Sequence, residues 1–167
     1  MSNEVQTFLN VWDDEAQKTV AMLHALPEGQ YDFRPDPGGR SLGELAWHLA
    51  EIDGYSGFGI ERGKFEVGVK PEGLERPKTI AALAPGYERA HADARARIAK
   101  LIPADLDREV IFFTGEPMSI RNILWSALLH HEIHHRGQIY LYLAMLGVPT
   151  SPLYGLTSEE VRARSAD

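Results

Sequence analysis

Four of the chain's seven histidines lie within six consecutive residues, from 130 to 135. His131 and His135 are four residues apart, and on an α-helix this spacing places two side chains on one face, about one turn apart. Two imidazoles in that arrangement can hold one metal ion. His130 and His134 have the same spacing, so they form a second candidate pair in a different register.

The first of these pairs is preferred because its helix face continues toward the core of the protein. At 100° per residue, Gln138 and Tyr142 fall on the same face as His131 and His135. The preceding turns add Leu124 and Ala127 to that face. For His130 and His134 we expect packing, hydrogen bonding or a place at the entrance of the site.

A third ligand should come from another helix, because two histidines alone do not bind zinc or nickel tightly. The candidate is His48, whose neighbours on both sides are apolar and should direct it inward. An isolated histidine in such a place is more often a hydrogen-bonded core residue, but the pair at 131 and 135 favours ligation. His24 and His91 lie in polar stretches and are interpreted as solvated surface residues.

Composition limits the chemistry. The 167 residues, 44% of them hydrophobic, predict a single domain over residues 1–167. The absence of cysteine excludes disulfides, thiolate zinc sites, iron–sulfur clusters and a cysteine nucleophile, so any metal must be bound by His, Asp or Glu. The net charge of −7 argues against nucleic acid as a partner. A polar amino terminus and the lack of a long apolar run predict a cytoplasmic protein that does not contact a membrane.

The elements that must position the histidines are four helices with apolar periodicity. The first runs from Val5 to Leu26, and the second opens at Ser41 with a Ser-x-x-Glu capping box completed by Glu44. The third covers residues 79–101. The fourth covers residues 119–146 and ends at a glycine.

The connections complete the predicted architecture. The long stretch 64–78 lets the second and third helices run parallel, and glycines at 54, 57, 59 and 63 are expected to weaken the end of the second helix. Residues 109–115 suit a short extended segment, and a capping pattern at 157–160 predicts a short C-terminal helix. The sequence therefore predicts an all-α fold, a four-helix bundle with one long crossover and no convincing sheet.

Two stretches of the chain resemble a known family. The segment Ser41–Leu49 (SLGELAWHL), together with the His-x-x-x-His-Arg-Gly-Gln pattern of residues 131–138, resembles the DinB/YfiT-like superfamily, and the resemblance extends over nearly the whole chain. It implies a four-helix bundle with a metal site formed by His48, His131 and His135. It also implies one divalent ion (zinc, nickel or iron) and a homodimer. Several members of that superfamily are transferases or isomerases that use a low-molecular-weight thiol such as glutathione, mycothiol or bacillithiol. The resemblance therefore also implies a metal-dependent enzyme of this type that acts on a small-molecule substrate, with such a thiol as cosubstrate.

A site with three histidines suits a reactive or substrate-binding metal, since closed structural zinc sites usually have four protein ligands. No catalytic residue can be named, but four residues are candidates for supporting the ligands. Glu44 and Glu51 lie one turn either side of His48 and are placed to orient it. Gln138 is a candidate hydrogen-bond partner of a ligand histidine or of bound solvent. Arg136 is interpreted either as a carboxylate-binding group or as a brace of the bundle.

The same run also fits the zinc-peptidase pattern His-Glu-x-x-His, in which Glu132 would be the general base. Glu159 or Glu160 would then be the third ligand. The prolines that separate this tail from the helix, and the lack of a strand for substrate binding, argue against that alternative. A non-enzymatic metal-binding stress or scaffold protein is the stronger alternative, since fold does not fix function.

The substrate pocket has no readable signature. We expect residues from the loops 29–40, 64–78 and 103–118 to line it. Tyr55 and Tyr142 are candidates for its wall, although aromatic residues on bundle faces more often belong to the core.

Overall fold

Four long helices form a bundle in the computed structural model, which describes residues 3–165. They are α1 (Glu4–His24), α2 (Leu42–Arg62), α3 (Leu83–Ile98) and α4, which comprises the consecutive segments Ile120–Asn122, Ile123–His130 and His131–Met145. A short fifth helix, α5 (Ser158–Arg164), begins with the capping box of Thr157 and Glu160. The predicted helical bundle and the predicted short C-terminal helix are both confirmed. In residues 3–165, no helix has the length and apolar character needed to cross a bilayer.

Helices α2 and α3 run parallel, as the long crossover predicts. Near their first turns Gly86 packs against Trp47, and two to three turns later Ala94 packs against Gly57. The connection holds one 3₁₀ turn, Ile80–Ala82, directly before α3. Helix α3 is therefore shorter at both ends than the predicted range of 79–101.

The glycines of α2 strengthen the packing of this helix rather than weakening its last turns. Helix α2 continues to Arg62, and Gly63 ends it in the left-handed conformation (φ 75°) that favours glycine. At each of the three earlier glycines, an added β-carbon would clash with a neighbouring residue. The neighbours are Leu74 at Gly54, Ala94 at Gly57 and Phe65 at Gly59. The expectation of a frayed end was wrong because close contacts across the bundle offset the low helix propensity of glycine.

Helix α4 contains a wide-turned segment directly before the histidines. Residues Ile123–His130 are π-helical, with hydrogen bonds between residues five apart. Two apolar pairs with that spacing are buried: Ile123 with Leu128, and Leu124 with Leu129. In an α-helix residues five apart point about 140° from each other, so the wide turns keep both pairs directed at the core.

A small β-hairpin contradicts the expectation of no sheet. Strand β1 (Glu109–Ile111) pairs with the antiparallel strand β2 (Pro117–Ser119), and Gly115 (φ 85°) lies in the turn. The extended segment predicted at 109–115 is thus half of a hairpin. Strands of three residues are too short to give a recognisable alternation of polar and apolar residues.

Candidate metal centre

Three histidines from two helices meet at one point of the bundle. His48 on α2 faces His131 and His135 on α4, and one nitrogen from each ring lies within 4.8 Å of the others. The ring centroids of His131 and His135 are 4.6 Å apart, and that of His48 is 5.4 Å and 4.8 Å from them. In a tetrahedral zinc site with Zn–N distances of about 2.0–2.1 Å, the ligand nitrogens are about 3.3 Å from one another. The three rings are therefore close enough together to form a possible metal site.

Each of the three rings has a hydrogen-bond partner for its Nδ1 nitrogen. The acceptors differ in kind: a carboxylate, a backbone carbonyl and a side-chain amide. They are Glu51 Oε2 for His48 (3.1 Å), Ala127 O for His131 (3.3 Å) and Gln138 Oε1 for His135 (2.6 Å). An acceptor at Nδ1 fixes the tautomer with its proton there, so each Nε2 presents a lone pair.

Two of those lone pairs face each other. His131 Nε2 and His135 Nε2 are 2.8 Å apart, and neither carries a proton when Nδ1 is the donor. Burial lowers the pKa of His131, and it lowers the pKa of His135 to about 4, with the neighbouring imidazoles adding to the effect. Both rings are therefore neutral at pH 7. Two neutral nitrogen lone pairs at this distance repel each other unless a cation lies beside them, so the donor set fits a metal ion.

Glu51 and Glu44 have different surroundings. Glu51 binds His48 and is also 3.4 Å from the Arg76 guanidinium. Burial raises the pKa of Glu51, but the contacts with His48 and Arg76 outweigh burial and leave it lowered, so the carboxylate is ionised. Glu44 instead completes the capping box of α2 with Ser41 and pairs with Arg34. Its contacts are with the start of the helix rather than with His48.

A cavity of about 480 Å³ lies beside the histidines, and His48 and His131 form part of its wall. All three predicted loops contribute to it, through Arg40, through Phe65, Val67 and Gly68, and through Phe112 and Phe113. Tyr55 also lines the cavity. Tyr142 does not, because its hydroxyl donates to the Arg40 carbonyl and its ring packs against Phe33.

Arg136 lies away from the cavity and is fully buried. It forms a salt bridge with Glu15 and donates to the Glu15 carbonyl, to the Thr19 hydroxyl and to Tyr154. These contacts connect α4 with α1 and with the C-terminal segment. In this position Arg136 braces the bundle and is not available to a ligand in the cavity.

Glu132 is also fully buried, on a different face of α4 from the three clustered histidines. Its Oε1 accepts hydrogen bonds from Thr19 of α1 (2.8 Å) and Tyr87 of α3 (2.7 Å). A carboxylate engaged there cannot act as a base on water at His131 and His135, which contradicts the peptidase interpretation. Glu160 caps α5. Among residues 3–165 the cluster of candidate ligands contains neither Glu159 nor Glu160.

His91 is not the solvated residue that its polar neighbours indicated. Its side chain is 13% exposed, and Nδ1 lies 2.8 Å from the fully buried Asp53. A sequence signal did exist for the other buried polar network, that of Glu132 and Arg136, because its partners Glu15 and Thr19 fall within the apolar stripe of α1. His130 and His134 are exposed, and neither joins the cluster of three among the residues described.

Comparisons with known proteins agree with this architecture. The model of the DinB superfamily matches residues 12–139. The Bacillus subtilis protein YrdA, named only as uncharacterised, is 26% identical over 163 residues, which cover 96% of this chain and 93% of YrdA.

Two solved structures are similar. A DinB-like protein from Bacillus cereus has a TM-score of 0.70 and 26% identity, over 88% of this chain and 97% of its own. The DinB-like protein YjoA from Bacillus subtilis has a TM-score of 0.69 and 21% identity, over 89% of this chain and 96% of its own. YjoA supports the fold alone at that identity. The names of these relatives state neither a metal nor a substrate.

Proposed function

The chain belongs to the DinB superfamily, and we propose that it is a metal-dependent enzyme of small-molecule thiol chemistry. One divalent ion would be held by His48, His131 and His135. The observation that carries this proposal is the convergence of three imidazoles, each with a hydrogen-bond partner at Nδ1. Zinc, nickel and iron(II) all accept such ligands.

An incomplete ligand set supports a reactive rather than a structural site. Among residues 3–165 no fourth histidine, aspartate or glutamate joins the cluster. A divalent ion with three neutral imidazole ligands keeps its full charge and an open coordination position, which lowers the pKa of a thiol or water bound there. The adjacent cavity, whose wall includes His48 and His131, gives a small molecule a place beside that position.

The chain's own residues would bind, orient and shield the reactants. Glu51, Gln138 and the Ala127 carbonyl hold the ligand rings in one tautomer, and the aromatic side chains of the cavity exclude water. Because the chain contains no cysteine, the thiol must come from a cosubstrate. In the transfer, the thiol loses its proton to solvent, its sulfur bonds to an electrophilic carbon, and the leaving group departs with its electron pair.

The proposal is tested by thiol consumption. The metal-free protein is reloaded separately with zinc, nickel and iron(II), and the loss of glutathione, mycothiol or bacillithiol is followed in the presence of chlorodinitrobenzene. We expect consumption above the uncatalysed rate with at least one pairing of metal and thiol. We expect none with His131→Ala and an unchanged rate with His24→Ala, which removes an exposed histidine at the end of α1.

The outcomes separate the candidate functions. Metal binding without thiol consumption in any combination would contradict the transferase proposal and favour the non-enzymatic metal-binding protein. Consumption that persists in His131→Ala would place the reaction elsewhere on the protein.

A further inference from the structure

Arg40 is a free cation at the wall of the cavity. Two other arginines near the start of α2 are engaged: Arg34 pairs with Glu44 at 2.7 Å, and Arg76 contacts Glu51 at 3.4 Å. Among residues 3–165, by contrast, no acidic side chain lies within 4.0 Å of the Arg40 guanidinium. The backbone of Arg40 is fixed, since its carbonyl accepts a hydrogen bond from Tyr142. An exposed guanidinium on a fixed stem can therefore bind an incoming anion.

The acidic group nearest to Arg40 in the cavity wall does not compete for it. Glu51 is the acidic residue among those that line the cavity, and its carboxylate is already bound by His48 and Arg76. The charge left for a ligand on this side of the cavity is thus positive, although the chain as a whole carries −7.

Apart from Ser56 and the two histidines, the rest of the wall is apolar and largely aromatic. Phe113 from the β-hairpin packs edge-on against Tyr55 of α2 and against Phe65, with centroids 5.8 Å and 5.2 Å apart, and Phe112 packs against Phe65 at 5.0 Å. Ile52 and Ala127 extend this surface toward the histidines. Rings in such a cluster present faces and edges against which a flat or aliphatic body can pack.

We propose that the cavity binds a small organic monocarboxylate, with its carboxylate paired to Arg40 and its apolar body against the aromatic wall. The inference rests on the proposed function, because this anion would be the electrophilic partner in the thiol reaction. A guanidinium matches a carboxylate with two parallel hydrogen bonds. A volume of about 480 Å³ lies in the range of sites for small ligands. A single free arginine in the wall suits one anionic group and not the several charges of a nucleotide.

Binding to the metal-free protein tests the inference without relying on catalysis. Phenylbutyrate and its neutral amide are titrated by calorimetry into protein kept in a chelator. We expect the carboxylate to bind at least tenfold more tightly than the amide. In Arg40→Gln that preference should disappear, and in Arg40→Lys it should fall in part, since lysine keeps the charge but loses the paired geometry.

Arg89→Gln is the matched control. Arg89 is exposed on α3, which contributes no residue to the cavity wall, so this variant makes the same change in net charge at a distance. Its preference for the carboxylate should equal that of the wild type. Phe113→Ala, a change at a half-exposed side chain, should weaken both probes equally because it removes part of the apolar wall.

Equal affinity for the two probes, or a preference that survives Arg40→Gln, would overturn the inference. A carboxylate preference that appears only after metal is added would also overturn it, because the carboxylate would then be binding the ion itself. That last result would leave the proposed metal-dependent function standing. Conversely, a chain that binds phenylbutyrate through Arg40 but consumes no thiol would retain the anion site and lose the proposed reaction.

Discussion

At the scale of single residues, the candidate site depends on which nitrogen of each histidine is available. The partners of Nδ1 come from a carboxylate, a backbone carbonyl and an amide, and the last of these lies on the exposed side of α4. Because the carbonyl at His131 belongs to the helix itself, substitution can remove only the partners of His48 and His135. Substitutions at these two partners therefore change how a histidine is oriented while leaving the histidine itself in place.

Gln138→Ala should weaken metal affinity without removing a ligand. The variant leaves His135 Nδ1 without its acceptor, and losing such an orienting contact typically costs about 10–100-fold in affinity. Competition with a chromophoric chelator measures the change. Gln17→Ala, at an exposed glutamine of α1, is the control and should bind metal like the wild type. Unchanged affinity in Gln138→Ala would show that the contact does not orient His135.

Glu132→Gln should make the protein less sensitive to rising pH. Burial, with Asp53 nearby, raises the pKa of Glu132 to about 7, from an ordinary value near 4.5. The folded state therefore binds more protons than the unfolded state between these values, and stability falls as pH rises through them. Glutamine stays neutral and can still accept from Thr19 and Tyr87. Between pH 5 and pH 8, the free energy of unfolding of the variant should rise by about 2–3 kcal/mol relative to that of the wild type.

Urea unfolding at both pH values, with a chelator present, measures this shift. Glu88→Gln, at an exposed acidic residue of α3, serves as the control. Its free energy of unfolding should change with pH in nearly the same way as that of the wild type. If the free energies of unfolding of Glu132→Gln and wild type differ by the same amount at pH 5 and at pH 8, a raised pKa of Glu132 is contradicted. Because Glu132 lies away from the three histidines, the variant should also retain bound metal and its metal-dependent thiol consumption.

The residues that could be predicted were those with a regular spacing on one helix. The four-residue interval of His131 and His135 identified a shared face, and the apolar neighbours of His48 placed it inward. The buried contacts of Glu132 and His91 could not be predicted in this way, because they depend on which helices become neighbours. A helical wheel gives the direction of Glu132 relative to the histidines but not that Thr19 and Tyr87 meet it there.

At the scale of elements, glycine has two distinct roles in this bundle. A β-carbon at Gly57 would lie 2.8 Å from the Cα atom of Ala94, a backbone atom that cannot move without shifting α3. A β-carbon at Gly137 on α4 would meet nothing within 4 Å. The first glycine is required for the approach of α2 to α3, whereas the second lies on an open helix face.

Gly57→Ala and Gly137→Ala should therefore change stability in opposite directions. Overpacking at position 57 is expected to cost about 1–3 kcal/mol. The exposed substitution at position 137 should stabilise the helix by about 0.4–1 kcal/mol, because alanine has the higher helix propensity and restricts the unfolded chain. Chemical denaturation of the two variants under one set of conditions gives both values. Destabilisation of similar size at both positions would contradict the packing described here.

Ends that carry a clear capping or stop signal were predicted better than the interiors of the elements, whereas α3 is shorter at both ends than its predicted range. Capping residues and stop signals act locally, so the start of α2 at Ser41 and the end of α4 before Gly147 agree with the structure. The π-helical segment and the β-hairpin were not predicted. Both depend on burial of particular side chains against other elements, which a sequence pattern over a few residues does not contain.

At the scale of the whole molecule, the polar chemistry is divided between two sides of α4. The candidate metal site lies between α2 and α4, and the buried network of Glu132, Thr19 and Tyr87 links α4 to α1 and α3. The candidate ligands come from positions 48, 131 and 135, far apart in sequence, so they converge only in the folded chain. Metal binding should therefore favour the folded state.

Adding metal should raise the melting temperature. At a free metal concentration about 100-fold above the dissociation constant, a ligand that binds only the folded state adds about 2.7 kcal/mol. For a protein of this size that corresponds to roughly 5–10 °C. Thermal unfolding followed by circular dichroism, with and without a chelator, measures the shift. His48→Ala should show no shift, and an equal shift in that variant would mean that the ion binds elsewhere.

The most direct test of the central claim is the metal content of protein purified without an affinity tag, measured by mass spectrometry. We predict about one divalent ion per chain in the wild type and in His24→Ala. We predict essentially none in His48→Ala or His135→Ala. Retention of the ion in His48→Ala would contradict a site shared by α2 and α4. Failure of the wild-type protein to bind an ion even after reloading would contradict the metal centre itself.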